Sequence, residues 1–198
     1  MKVGWILNCR EDSKRLPKKC LNNFFEDDCI PLYIYKRIKK YMIENDKNHE
    51  LIIAMPNDKG SDNLAKKLSD CNIYRGEKDD LIARNLFCAT RKGLDYIIRV
   101  TCDDPYKDIK SGDKMLDICI EGKFDIATNE HKESYWPYGT TIEIYKINIL
   151  REMYFKAWTS HQREHMLYEQ ILQGRNYRYK LKRFKKMTEL NNRATDKD

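Results

Sequence analysis

The sequence predicts an α/β fold. Over the first two thirds of the chain, short β-rich runs alternate with stretches of helical spacing, as successive strands and helices of an α/β sheet do. The helical stretches carry turn and cap residues at their ends, and no internal repeat interrupts the alternation. After Asn129 the pattern changes to a polar and aromatic segment, a strand-like run, two helical patterns and a basic alternating run.

The first strand is expected at Val3–Asn8, an apolar run that follows Met1 almost directly. Leu32–Glu44 places apolar residues at 32, 34, 38, 41 and 42, the spacing of one helix face, with Pro31 suited to its first turn. Glu50–Met55 reads as the second strand, Ser61–Ser69 as a helix started by Ser61, and Asp80–Arg91 as a helix stopped by Gly93. Tyr96–Thr101 is the most convincing strand, followed by a helix at Ser111–Glu121, a stop at Gly122 and a strand at Phe124–Thr128. Beyond them come a strand at Thr140–Tyr145, helices at Asn148–Trp158 and His161–Leu172, and a strand at Tyr177–Phe184. The expected organisation is one domain over residues 1–198: an α/β core (1–129), a helical and β addition (130–190) and a short tail (191–198).

Composition narrows the function classes. Hydrophobic residues make up 41% of the 198, enough for a sizeable core, and 8 Gly with 5 Pro exclude collagen-like and linker-dominated chains. Thirty-eight Lys and Arg against 31 Asp and Glu leave a formal charge of +7, which favours polyanionic partners such as nucleic acid, an anionic membrane or a triphosphate. Nothing approaches the roughly 20 apolar residues of a membrane span, so no membrane partner is expected. The seven cysteines at 9, 20, 29, 71, 88, 102 and 119 show no C-x-x-C pair and no zinc spacing. Inert buried thiols in a soluble, reducing cytoplasmic protein are the expectation.

Two segments hold candidate chemistry, because ligands of open α/β sheets collect at the carboxyl ends of strands. The segment after the first strand, Asn8 to Lys19, gathers Arg10, Lys14, Arg15, Lys18 and Lys19 around the Ser13 hydroxyl. It lacks both common glycine-rich phosphate motifs, so side chains would do what backbone does there; a solvated loop is the competing reading. The segment Thr101 to Asp108 sets Asp103 and Asp104 directly after the strand. An aspartate there can hold Mg²⁺ beside phosphates, and an Asp-Asp-Pro turn bonding its own backbone is the alternative. A basic and an acidic loop at one sheet edge together fit a magnesium–triphosphate.

In these residues the chain resembles the cytidylyltransferases that include CMP-KDO synthetase, CMP-sialic acid synthetase and the spore-coat polysaccharide enzymes. Their A-R-x-x-S-x-R-L-P-x-K loop is similar to Cys9-Arg10-Glu11-Asp12-Ser13-Lys14-Arg15-Leu16-Pro17-Lys18-Lys19. The spore-coat branch's G-S-x-D-D-V-L-x-R resembles Gly76 to Arg84, its T-G-D-x-P-x-x-D resembles Thr101 to Asp108, and its P-x-G-x-x-x-E resembles Pro137 to Glu143. An R-E-H helix start is matched by Arg163-Glu164-His165, and the matches run in order from residue 3 to about 172.

The resemblance implies a Rossmann-like nucleotidyltransferase (GT-A-type) fold with a mixed, mostly parallel sheet flanked by helices. It implies transfer of CMP from CTP to a sugar acid or small phosphorylated acceptor, with Mg²⁺ as cofactor and no protein nucleophile. Carried over by position, Arg10, Lys19 and Asp103 become the catalytic set. Asn8, Arg10, Ser13, Arg15, Lys19, Arg75, Asp80 and Asp103 become the CTP-binding set, and Asn129, Glu143, Arg163 and His165 the acceptor side. Asp103 becomes a metal ligand, with Asp196 as the second. Members of the family often dimerise, which makes 130–190 the acceptor side and a candidate dimerisation region, but no residue pattern establishes an interface and the homodimer stays open.

The departures are specific. Lys18 stands where the family has glycine, Cys102 replaces the glycine before the metal aspartate, and Thr141 stands where the spore-coat branch has aspartate. The late V-D-T-x-x-D-like segment is echoed in part by Arg193 to Asp198, so a complete metal site and one lacking its second ligand both stay open, as does a degenerate homologue that binds nucleotide without catalysis. Cys9 and Cys102 flank both loops with no base to activate them. Arg175–Lys186 holds seven basic residues interleaved with Tyr177, Tyr179 and Phe184. A nucleic-acid surface is the minor reading of that pattern, and a half-buried edge strand the major one. A glycosyltransferase would show D-x-D, whereas Asp103 and Asp104 are adjacent.

Overall fold

The computed structural model describes residues 1–11, 16, 18–130, 135–167 and 179–191. Its strands are β1 (Val3–Asn8), β2 (Asn23–Phe25), β3 (Asp28–Cys29), β4 (Glu50–Pro56), β5 (Ile73–Gly76), β6 (Tyr96–Thr101), β7 (Ile126–Thr128), β8 (Glu143–Lys146) and β9 (Leu181–Arg183). Its helices are α1 (Ile30–Glu44), α2 (Asp62–Lys67), α3 (Leu81–Lys92), α4 (Ile109–Glu121), α5 (Ile147–Lys156) and α6 (Ser160–Glu164). Among the described residues, seven strands form one sheet in the order β5-β4-β1-β6-β8-β7-β9, and β2 pairs with β3 as a separate hairpin. β1 pairs parallel with β4 and β6, β4 with β5, and β7 with β9, whereas β8 runs antiparallel to both neighbours. The sheet is therefore mixed and mostly parallel, as expected.

Alternation along the central strands builds two cores. Trp5 and Leu7 of β1, Ile53 and Met55 of β4, and Ile98 and Val100 of β6 share one face with Ile34 and Ile38 of α1 and Met115 and Leu116 of α4. Ile6, Ile52, Ala54 and Ile97 share the other with Ile82 and Leu86 of α3 and Leu150 and Met153 of α5. Burying each such large side chain stabilises the fold by about 1.5–3 kcal/mol.

Local signals explain the helix ends. Asp80 caps α3 by accepting from Ala83 N–H at 2.8 Å, and Gly93 ends it in the left-handed region at φ 65°. Asp108 caps α4 through Ser111 N–H at 3.1 Å. Thr159 and Gln162 form a reciprocal capping box on α6.

Several boundaries shift from expectation. The strand expected from Phe124 begins at Ile126, because Lys123 turns through φ 52° and Phe124 N–H closes that turn on Cys119 O at 2.8 Å. The strand expected from Thr140 begins at Glu143, because residues 140–142 are held by the Asn129 side chain. Within the described part of the two C-terminal expectations, α6 spans Ser160–Glu164 and β9 spans Leu181–Arg183; residues 168–178 lie outside the description.

Candidate functional site

Strand order reverses at β1, with β4 and β5 on one side and β6 on the other. The segments leaving β1 and β6 therefore emerge together at the carboxyl edge, the switch point where such sheets bind ligands. There Lys19 Nζ donates to Asp103 Oδ2 at 2.9 Å, joining the basic and the acidic loop across 84 residues. Burial pushes the Asp103 carboxyl up, but the Lys19 ammonium outweighs it and holds the group below its ordinary value. Lys18, at the position the family gives to glycine, has φ 58°.

Asp104 turns the other way. Its Oδ2 accepts from Thr101 Oγ1 at 3.3 Å and from Lys107 Nζ at 3.1 Å. Lys107 is 1% exposed, also donates to Thr141 O at 2.9 Å, and is pushed down from the ordinary lysine value by burial. Thr141 thus engages the loop through its carbonyl. Gly139, at φ 85°, lets backbone approach Asp104 so closely that a Cβ would meet Oδ1 at 3.3 Å.

Arg99 and Glu143 are register partners on β6 and β8, and they pair directly. Tyr145 donates to Glu143 Oε2 at 2.5 Å. Asn129 donates to Thr140 O at 3.1 Å and accepts from Ile142 N–H at 2.7 Å, so its amide shapes the approach to β8. Glu130 is pushed up by burial and by Glu143. A cleft of about 270 Å³ opens here, lined by Arg99, Asp103, Asp104, Glu130, Glu143 and His165, among others. A hollow of about 330 Å³ lies between α4 and the Met187–Asn191 turn, and Asp108 at the end of the acidic segment is among its lining residues.

The remaining carried-over residues divide. Asn8 and the fully buried Asn85 exchange two amide hydrogen bonds of 3.0 Å. Asp80 caps α3 with one oxygen and pairs with Arg163 through the other, while Arg163 also donates to Ala157 O at 2.9 Å. Arg75 donates to Pro56 O at 2.8 Å, Asp58 O at 2.7 Å and Asp62 Oδ1 at 2.9 Å, so its guanidinium organises the end of β4. Arg10 is exposed and reaches Glu164 Oε1 at 3.4 Å. His165 ends α6 and its ring lies tilted against that of His161, with centroids 4.4 Å apart. Ser13, Arg15 and Asp196 lie outside the described residues. Among the described residues, no group of three or more His, Cys, Asp or Glu is arranged to hold a metal ion, and no helix is long and apolar enough to cross a membrane.

One expectation needs correction. The cysteines were expected as thiols, but Cys9 and Cys102 are joined as a disulfide, with Cα atoms 5.2 Å apart. The parallel pairing of β1 and β6 sets Asn8 opposite Thr101 and so brings the next residues together. Cys102 is buried there.

Sequence reading missed Arg99, Lys107 and Asn85. A charged residue inside the apolar run Tyr96–Thr101 was the available signal for Arg99. Lys107 and Asn85 each have a local partner, Asp104 and Leu81, but their contacts with Thr141 and Asn8 lie far away in sequence.

No family model matches the chain. It is 28% identical over 169 residues to an uncharacterized protein of Methanocaldococcus jannaschii, covering 84% of this chain and 65% of that protein. It is 24% identical over 153 residues to the spore coat polysaccharide biosynthesis protein SpsF of Bacillus subtilis, covering 75% and 60%. The chain thus spans less than two thirds of the length of these curated relatives. Among solved structures, a cytidylyltransferase from Leptospira borgpetersenii superposes with a TM-score of 0.80 at 26% identity, covering 94% of this chain and 76% of that one. CMP:2-keto-3-deoxy-manno-octonic acid synthetase complexed with CTP superposes with a TM-score of 0.67 at 14% identity, covering 93% and 89%. The chain is thus similar in fold and in sequence to a cytidylyltransferase, in sequence to a spore coat polysaccharide biosynthesis protein, and in fold to CMP:2-keto-3-deoxy-manno-octonic acid synthetase.

Proposed function

We propose that the chain is a CTP-dependent cytidylyltransferase that transfers CMP to a sugar acid or small phosphorylated acceptor for surface polysaccharide or glycoconjugate synthesis. The Lys19–Asp103 contact carries this reading: it sets a cation for phosphate and a carboxylate for a divalent ion 2.9 Å apart at the switch point. The CTP complex of a similar fold supports CTP as the donor.

A single ionised carboxylate at a strand end fits Mg²⁺, which uses one or two carboxylates and completes its shell with water and phosphate oxygens. Asp103, held ionised by Lys19, would hold it. When bound, the ion neutralises charge across the α-phosphate and the leaving group. Lys19 and Asp103 neutralise each other; with nucleotide bound, the ammonium would bind phosphate and the carboxylate would hold the cation. Arg10, exposed at the same edge, binds the departing pyrophosphate. An acceptor oxygen attacks the α-phosphorus, a new P–O bond forms and the bond to pyrophosphate breaks. Catalysis is positioning and preorganised charge.

The cleft floor would receive the acceptor. Glu143, fixed by Arg99 and Tyr145, presents a carboxylate to sugar hydroxyls, and His165 at the rim suits an anionic group. Asp103, Asp104, Glu130, Glu143 and Glu164 line the cleft, which weighs against nucleic acid there. Incubating the chain with CTP, Mg²⁺ and a panel of sugar acids and phosphorylated sugars tests the reading. CTP-dependent pyrophosphate release with one acceptor class is expected; none with any acceptor, despite nucleotide binding, favours a binding homologue.

A further inference from the structure

Cys9 and Cys102 are the first residues beyond β1 and β6, and each stands immediately before a residue of the candidate site, Arg10 and Asp103. Their backbone is fixed from below. Cys102 N–H donates to Asn8 O at 3.1 Å, and Cys9 N–H to Ala54 O at 3.0 Å, so both sulfurs start from anchored positions. The Cα separation of 5.2 Å lies in the range a disulfide spans, and each residue is 2% exposed. The loops are thus tied twice, by this covalent bond beneath and by Lys19–Asp103 above.

A third cysteine lies close. Cys20 is buried, accepts from the Arg10 backbone N–H, and feels both Lys19 and Asp103. Burial pushes its thiol up to about 11, so little thiolate is present near neutral pH to attack the bond.

We propose that Cys9–Cys102 is a reversible redox clasp on these two loops, closed when bonded and loosened when reduced. Reduction requires a dithiol reductant. One of its thiolates attacks a sulfur of the pair, the Cys9–Cys102 bond breaks, and its electrons leave on the other sulfur, which takes up a proton. The reductant's second thiol then displaces the mixed disulfide, leaving two protein thiols and the oxidised, cyclic reductant. Reduction removes the covalent tie and leaves the strand-end hydrogen bonds and the Lys19–Asp103 contact to hold the loops, which then open more readily. On the nucleotide reading above, on which this consequence rests, the loosened loops weaken CTP binding.

The test compares the full chain after mild oxidation with glutathione disulfide and after reduction with dithiothreitol. Three readouts are taken: alkylation and non-reducing peptide mapping, amide hydrogen exchange, and titration with CTP and Mg²⁺. The expected result is a mapped Cys9–Cys102 bridge, faster exchange in residues 9–11, 18–22 and 101–108 after reduction, and restoration on reoxidation. The Cys9→Ala/Cys102→Ala variant is expected to exchange like the reduced chain and to ignore dithiothreitol. Free Cys9 and Cys102 after oxidation, a different pairing, or identical loop exchange in both states overturns the clasp. If exchange responds as expected but neither state binds CTP, the clasp stands and the nucleotide reading falls.

Discussion

Lys19 Nζ and Asp103 Oδ2 meet at 2.9 Å across 84 residues of sequence, and this contact joins the loops that leave β1 and β6. It is partly exposed, so it contributes little to stability. On the proposed function, it places opposite charges where a triphosphate and its cation would divide them.

Asp103→Asn keeps the shape and removes the charge. The protein is expected to fold normally by circular dichroism while pyrophosphate release falls by about 10²-fold or more. Turnover at the wild-type rate by the folded variant would remove Asp103 from the metal-binding role.

Arg10 is exposed and touches Glu164 at 3.4 Å, so Arg10→Ala should leave the melting temperature unchanged. If the guanidinium stabilises the departing pyrophosphate, kcat/KM for CTP falls by about 2–4 kcal/mol in transition-state stabilisation. Steady-state kinetics decide, and an unchanged kcat/KM contradicts the role.

The ion pair also sets a pH dependence. Asp103 titrates below its ordinary 3.8 in the fold, so its stabilisation is present above that value and is lost as pH falls through the lower folded value. Melting curves of wild type and Lys19→Met should differ by less than about 1 kcal/mol near neutral pH and converge in acid. A difference that persists in strong acid would point to packing instead.

Lys18 holds φ 58°, a conformation costly for a side-chain-bearing residue. Lys18→Gly restores the residue that the resembling family carries there and should stabilise the fold by about 1 kcal/mol, a rise of roughly 2–4 °C in Tm. A lower Tm would mean that the lysine side chain makes compensating contacts.

How much was legible depended on whether the deciding partner was local. β1 and β6 were readable because six-residue, mostly apolar and mostly buried strands leave a clear composition, and the edge loops follow from them. β5 was not, because Ile73–Gly76 is four half-buried residues at the sheet edge. The Cys9–Cys102 bond spans 93 residues and follows from parallel register, which no spacing rule reveals. Asp80 and Arg163 were each assigned to a ligand by motif, yet they face one another across 83 residues, a pairing that appears once α3 and α6 pack together.

The most direct measurement is a calorimetric titration of the folded chain with CTP, UTP, ATP and GTP, each with and without Mg²⁺. Magnesium-dependent binding selective for CTP is the predicted result. No CTP binding by folded protein, or equal affinity for all four nucleotides, would contradict the assignment of this sheet edge to CTP.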